Sequence, residues 1–229
     1  MPVSQKSFGR RFVLEGAAAV FATVLIASPL TAGALDASPV RKLLGGASDS
    51  ALDKLAKPDA FYADTAIRIL LPGTKGKMAS QLMGFGDKLG LTTKLTKSLN
   101  DAAGLAAKEA KPIFRSAVDG LSLTDLPGLA LKGDGATQYL KTSSGTELRS
   151  KIRPLVSTAL GKVGAFNQLS KLGNASSLLG AVGVTPDRLT DSVTDQTMSG
   201  IFTYMGKEEA ALRSNPIGLG KSILGGLVK

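Results

Sequence analysis

Four sets of residues in this 229-residue chain carry groups that could do chemistry. Asp187, Asp191 and Asp195 recur every four residues, which puts three carboxylates on one face of a helix. A hard cation such as calcium takes oxygens that converge from a loop, with one acid bidentate, and that spacing is missing. Acids at a helix start are favoured by the helix dipole, so capping is the preferred reading and no metal is expected. Glu209 and Arg213 stand four apart, acid first, the order of a helix ion pair. Glu208 then points elsewhere, and with Asp134 or Arg68 it could form a buried polar cluster. Arg68 lies between Ile67 and Ile69; it either projects outward by alternation or is held by acids. If held, its planar fork suits an anion or a structural anchor. Thr137 and Tyr139 could line a pocket, although helix packing with a satisfied hydroxyl is the simpler reading. The candidate cluster is therefore Arg68, Asp134, Thr137, Tyr139, Glu208, Glu209 and Arg213.

Two glycine patterns fail as nucleotide sites. Gly218-Leu-Gly220-Lys221-Ser222 echoes the end of a phosphate-binding loop, but its first glycine would fall on Asn215 and no strand precedes it. Gly84-Phe-Gly86 lacks a third glycine and a strand. No cofactor is expected. Cysteine and histidine are both absent, which removes thiol nucleophiles, disulfides, imidazole bases and most transition-metal ligand sets. The 28 basic and 18 acidic residues give a formal charge of +10. That charge is spread, without a run of cations interleaved with aromatics, so a solvated surface is expected and nucleic acid is not.

These groups must be positioned by helices. Leu95, Leu99, Ala102, Ala106, Ala110, Ile113 and Ala117 step by three and four through Leu91–Leu121, so a long helix is expected there. Thr92 or Thr93 would cap it, Gly120 would stop it and Pro112 would bend it. Further helices are expected from Ser48 or Asp49 to Lys57-Pro58, over about 75–88, and from Ser122 to Gly133. A short one would start at Asp134 and pass Tyr139. Another would open at the capping box Ser144-Gly-Thr-Glu147 and kink at Pro154, its pattern continuing through Phe166, Leu169 and Leu172. The last long helix would be capped by Thr190 or Asp191 and end at Asn215-Pro216. Ala66–Pro72 reads as a short extended segment or buried connector, Gly173–Thr185 as a loop, and the tail after Asn215-Pro216 as a loosened amphipathic piece. The fold class is all-α: a single-domain helical bundle of about seven to nine helices around a long kinked central helix.

Residues 1–34 read as an export signal. Lys6, Arg10 and Arg11 precede an apolar stretch broken only by Glu15, and Ala32-Gly33-Ala34 offers a cleavage site. Phe8-Gly9-Arg10-Arg11-Phe12-Val13-Leu14 is similar to a twin-arginine signal; ordinary secretion and an uncleaved anchor are the alternatives. Without those residues 25 basic and 17 acidic ones remain. Residues 35–46 are expected to form a flexible leader and 47–229 the helical domain.

Three blocks carry a family resemblance. They are Lys57-Pro-Asp-Ala-Phe61 through Ile67-Arg68-Ile69 to Leu71-Pro72; Ala110-Lys-Pro-Ile-Phe114 through Gly133-Asp134, Ala136-Thr137, Tyr139 and Arg153-Pro154-Leu155; and Leu189-Thr190-Asp191 with Val193-Thr194, Gly200-Ile201-Phe202, Glu208-Glu209, Arg213 and Asn215-Pro216. In that order, over roughly Leu43–Lys229, the chain resembles the exported bacterial family catalogued as domain of unknown function 4197. The resemblance implies an exported, mainly helical protein and no particular activity. The expected protein is periplasmic, with membrane association as an option. It is read as a non-catalytic binding or envelope-associated module with a lipid-like ligand in an apolar cavity, or the membrane surface itself, as partner. The alternative is a hydrolase using Asp134 or Glu208 with Arg68, which needs two acids facing each other across a cleft.

Overall fold

The computed structural model describes residues 38–72, 90–122, 132–175 and 184–214. These hold six helices: α1 (Ser38–Leu55), α2 (Ala60–Ala63), α3 (Leu91–Asp119), α4 (Gly135–Lys162), α5 (Ala165–Ala175) and α6 (Pro186–Ser214). The single-domain, all-α bundle expected from the hydrophobic periodicity is what forms. The helices expected over 75–88 and between Ser122 and Gly133 fall wholly or mainly outside the described residues, as do most of the Gly173–Thr185 loop and the tail.

Four long helices form the walls. Arg41 of α1 reaches the Leu121 carbonyl beyond α3, and Lys111 pairs with Asp53 at 2.7 Å, so α1 and α3 run antiparallel. Ser98 near the start of α3 bonds Gln168 of α5, and Tyr139 near the start of α4 bonds the Ser122 carbonyl; α3 and α4 are therefore antiparallel too. α6 closes the square against α4 and α1, and α3 touches all five other helices. Across the diagonal, Phe114 of α3 meets Phe202 of α6 edge to face at 5.8 Å, an arrangement worth about 1 kcal/mol beyond area burial. Each neighbouring pair of walls is antiparallel, as in an up-and-down bundle.

The stripe on α3 is wider than its sequence suggests. Leu95, Leu99, Ala102, Ala106 and Ala110 are buried, with Ala103 and Ala107 beside them, and the stripe passes to Phe114 and Val118 while Ile113 and Ala117 lie at its edge. Five of these buried positions are alanines, which admit close neighbours, and a Cβ on Gly104 would come 3.4 Å from the Leu55 carbonyl. Pro112 sits inside α3 on its exposed side. The carbonyl it leaves unbonded belongs to exposed Lys108 and can be hydrated.

Several expected boundaries move. α1 begins at Ser38, so residues 38–46 are helix rather than flexible leader, and Leu44 is fully buried. Ser48 is a buried residue inside α1, not its cap. Gly90, at φ +63°, precedes α3 in place of a threonine cap; Thr92 is buried and its hydroxyl is unpartnered. Gly120 does close α3, donating to the Ser116 carbonyl. The box at Ser144–Glu147 lies inside a continuous α4, where Glu147 pairs instead with Lys151 at 2.6 Å. α6 starts at Pro186, and the Thr185 hydroxyl accepts from the Arg188 amide at 3.2 Å, so neither Thr190 nor Asp191 is the cap.

The connector Arg68–Leu71 is non-helical and alternates between outside and inside: Ile67, Ile69 and Leu71 are buried, Leu70 is exposed. Its backbone is paired by two side-chain amides. Asn100 of α3 accepts from the Ile69 amide at 2.8 Å and donates to the Ile69 carbonyl at 2.9 Å. Gln196 of α6 makes the same pair of bonds with Leu70, both 2.9 Å. Each amide imitates the edge of a neighbouring strand, so buried polar backbone is satisfied without a sheet. Asn100→Leu keeps the volume and strands both Ile69 groups. It is expected to lower unfolding free energy by about 2–4 kcal/mol, read from the urea midpoint, with Gln196→Leu costing less because Leu70 is exposed.

Candidate functional site

The start of α4 is made by another helix. Asp134 occupies the N-cap position but makes no capping bond; its carboxylate accepts from the Gln138 side chain at 3.0 Å. The free amides of the first turn go to Glu209 of α6: Ala136 N–H donates to Oε1 at 3.0 Å and Thr137 N–H to Oε2 at 2.7 Å. Glu209 is completely buried. Arg213, one turn on, donates to the same Oε1 from Nη2 at 2.6 Å and from Nε at 2.9 Å. A buried carboxylate is thus surrounded by two backbone donors, a guanidinium and the positive end of a helix dipole, which together offset its desolvation. Gly206 permits the approach, since a Cβ there would meet Asp134 Cβ at 3.3 Å.

Glu208 faces away from this group. It accepts from Ser50 at 2.7 Å and from Lys54, both on α1. Burial pushes the Glu208 carboxyl up, but the bonds from Lys54 and Ser50 and the Lys54 charge outweigh it, and the group ends below its ordinary value. Nearby, the Tyr204 hydroxyl donates to Asp64 at 2.9 Å. Burial, that bond, and the charges of Asp64 and Glu208 raise Tyr204 above its ordinary value. The Ala66 amide and Tyr204, with Lys207, hold Asp64 low against opposing burial.

The seven candidates therefore divide. Asp134, Thr137, Glu209 and Arg213 come together at the α4–α6 junction. Glu208 joins α1 instead, because positions 206 and 208 lie roughly 200° apart around α6 and Asp134 is packed on Gly206. Among the described residues no acid pairs with Arg68; its Nε donates to the Tyr62 carbonyl at 2.6 Å and its guanidinium lies 4.8 Å from the centre of the Tyr62 ring. The Tyr139 hydroxyl donates to the Ser122 carbonyl, while Thr137 is buried with its hydroxyl unpartnered. Asp134, Glu208 and Arg68 do not converge, so the facing carboxylates that hydrolysis would require are not assembled from them.

Of Asp187, Asp191 and Asp195, only Asp187 lies in the first turn of α6, where the dipole favours it, and the three form no cation cage among the described residues. They face Arg149 and Arg153, which stand four apart on α4. Arg149 Nε reaches Asp195 at 2.5 Å and its Nη2 reaches Asp191 at 3.4 Å; Arg153 Nε reaches Asp191 at 2.8 Å and its Nη2 reaches Asp187 at 3.4 Å. The Arg153 hydrogen bond, opposed by burial and aided by both arginine charges, holds Asp191 below its ordinary value. Among the described residues no cluster of three metal-ligating side chains occurs. Sequence spacing marked the acids; the matching Arg149-to-Arg153 step was the unused signal.

Between junction and ladder the α4–α6 seam is open. One hollow of about 490 Å³ is lined by Asp134, Gln138, Lys141, Phe202, Thr203 and Lys207, among others. A second, of about 400 Å³, shares Lys141, Ser199 and Phe202 and continues past Met198 to Arg149 and Asp195. The Lys141 ammonium lies 6.0 Å from the centre of the Phe202 ring. The result is a surface groove with a partly apolar floor and a rim on which Lys141, Lys207 and Arg149 stand among Asp134 and Asp195.

Two outcomes test this electrostatic reading. Glu209→Ala should cost about 2–4 kcal/mol in denaturant unfolding, because it strands buried donors and a guanidinium, and should speed hydrogen exchange at the Ala136 and Thr137 amides. Glu208 has a folded pKa below its unfolded one, so its contribution is present above the ordinary glutamate value of 4.5 and is lost as pH falls through the lower folded value. The melting temperature of Glu208→Gln should accordingly fall less steeply with acid than that of the unaltered protein.

No curated protein and no solved structure matches the chain. No helix among the described residues is long and apolar enough to cross a membrane. A family profile described as "Protein of unknown function (DUF4197)" matches residues 34–227. The chain, matched over nearly its whole length, belongs to the DUF4197 family.

Proposed function

We propose that this protein is a non-catalytic, envelope-associated binding module whose α4–α6 groove takes an elongated amphiphile with an anionic head, such as a long-chain fatty acid. The observation behind this reading is the groove. From Asp195 to Ala210 it follows α6 for roughly 22 Å at about 1.5 Å per residue. Met198 and Phe202 line its floor, and Lys141 and Lys207 stand at its rim. An apolar tail would cover the floor while a carboxylate or phosphate paired with a lysine, the usual division between packing and orientation in ligand sites. The acids along it are already engaged, Asp195 by Arg149 and Asp134 by Gln138, which favours binding over bond cleavage. The apolar segment and basic start within residues 1–34 support an extracytoplasmic location.

Titration with a fluorescent fatty-acid analogue, backed by native mass spectrometry with palmitate, tests the proposal. Lys141→Glu with Lys207→Glu should weaken binding about tenfold, or about 1.4 kcal/mol. Ser199→Trp, placed on an exposed position in mid-groove, should block it while helical content is kept. Absence of binding by the unaltered protein, or a Ser199→Trp variant that binds as well, defeats the reading.

A further inference from the structure

On the bundle face away from α6, between α3 and α4, lies a separate hollow of about 260 Å³ lined by Leu105, Glu109, Leu155, Thr158, Ala159 and Lys162. Leu105 is 42 % exposed, one of two large hydrophobic side chains so exposed among the described residues. Leu155 is partly buried beside it. Glu109 and Lys162 carry opposite charges on the rim, and neither has an ion-pair partner among the described residues, although most acids on the walls of this bundle do.

Their placement has a symmetry. Because α3 and α4 are antiparallel, Glu109 lies from Leu105 toward the Ser122–Tyr139 end, whereas Lys162 lies from Leu155 toward the Ser98–Gln168 end. The two charges thus occupy opposite corners of the patch, one on each helix. A two-fold axis lying in the plane of the face, along the diagonal from Leu105 to Leu155, exchanges the two charged corners. It would set Glu109 of one copy against Lys162 of the other, twice, and bring the two Leu105 side chains together beside the axis. Self-complementarity of this kind is what an isologous contact requires.

We propose that the α3–α4 face is a homodimer surface, with a second copy of this chain as its occupant, Leu105 as the apolar centre and two reciprocal Glu109–Lys162 pairs as the register. The patch is small beside a standard interface, so the dimer is concentration-dependent, forming at roughly 10–100 µM. A membrane surface fits less well, since the acid at one corner would be repelled by anionic lipid. The proposal is independent of the groove between α4 and α6.

Sedimentation velocity of the full chain across about 1–200 µM tests it. The unaltered protein should pass from monomer to dimer, and Leu105→Lys should remain monomeric with unchanged circular dichroism. Glu109→Lys and Lys162→Glu should each weaken association about tenfold by setting like charges together at two sites. The double reversal should restore it, a recovery that general destabilisation would not produce. A protein monomeric throughout, a dimer indifferent to Leu105→Lys, a double reversal no stronger than the singles, or a monomer that instead co-sediments with liposomes through Leu105 would each overturn the assignment.

Discussion

The arrangement of this bundle depends on one buried charge. Glu209 carries its carboxylate out of water entirely, and an isolated ion in such a place would cost several kcal/mol. Three sources of positive potential meet it: the first-turn amides of α4, that helix's dipole, and Arg213. Each of them restricts geometry. The amides require the end of α4 to abut α6 at one level, while Arg213 donates to the same carboxylate from the next turn of α6. Gly206 eases the approach beneath, since a Cβ there would sit a tight 3.3 Å from that of Asp134. The cap that sequence habit assigns to Asp134 is therefore delivered from a residue more than seventy positions away. It fixes where two walls of the bundle meet and where the groove between them begins.

Much of the architecture was legible because aliphatic periodicity is a local property. The stripe of α3 and its stop at Gly120 could be read directly, as could the inward face of α6 through Val193, Met198, Ile201, Phe202 and Met205. The errors cluster where glycine and hydroxyl residues look like punctuation. Gly45-Gly46 suggested a leader, yet Gly46 lies inside α1, where a Cβ would come into ordinary contact with Leu212 at 3.7 Å. Ser144-Gly-Thr-Glu147 has capping spacing, but Leu140 and Leu148 on either side are both buried against the same core. Tertiary burial carried the helix through a sequence that could have ended it.

The polar interior was the least legible part. Glu209 and Arg213 could be paired from their spacing, whereas the amides of Ala136 and Thr137 have no spacing to betray them. Asn100 and Gln196 fall among polar positions of otherwise amphipathic helices and give no sign that each holds a piece of backbone. Nor does a single chain reveal which acids face which bases: the aspartate series on α6 gained its meaning only beside Arg149 and Arg153. Side chains that satisfy distant partners are invisible to any argument built on near neighbours along the chain.

The ladder of two arginines and three aspartates has a further property. Its teeth are equally spaced on both helices, one turn apart, so a shift of α6 along α4 by a single turn would leave arginine opposite aspartate again. Such a ladder supplies cohesion but is nearly blind to position, like a rack that meshes at more than one notch. The notch is chosen elsewhere, by groups that occur once: the Glu209 carboxylate and the Phe114–Phe202 contact. The ladder thus adds cohesion, while the register of the seam rests on those unique buried contacts.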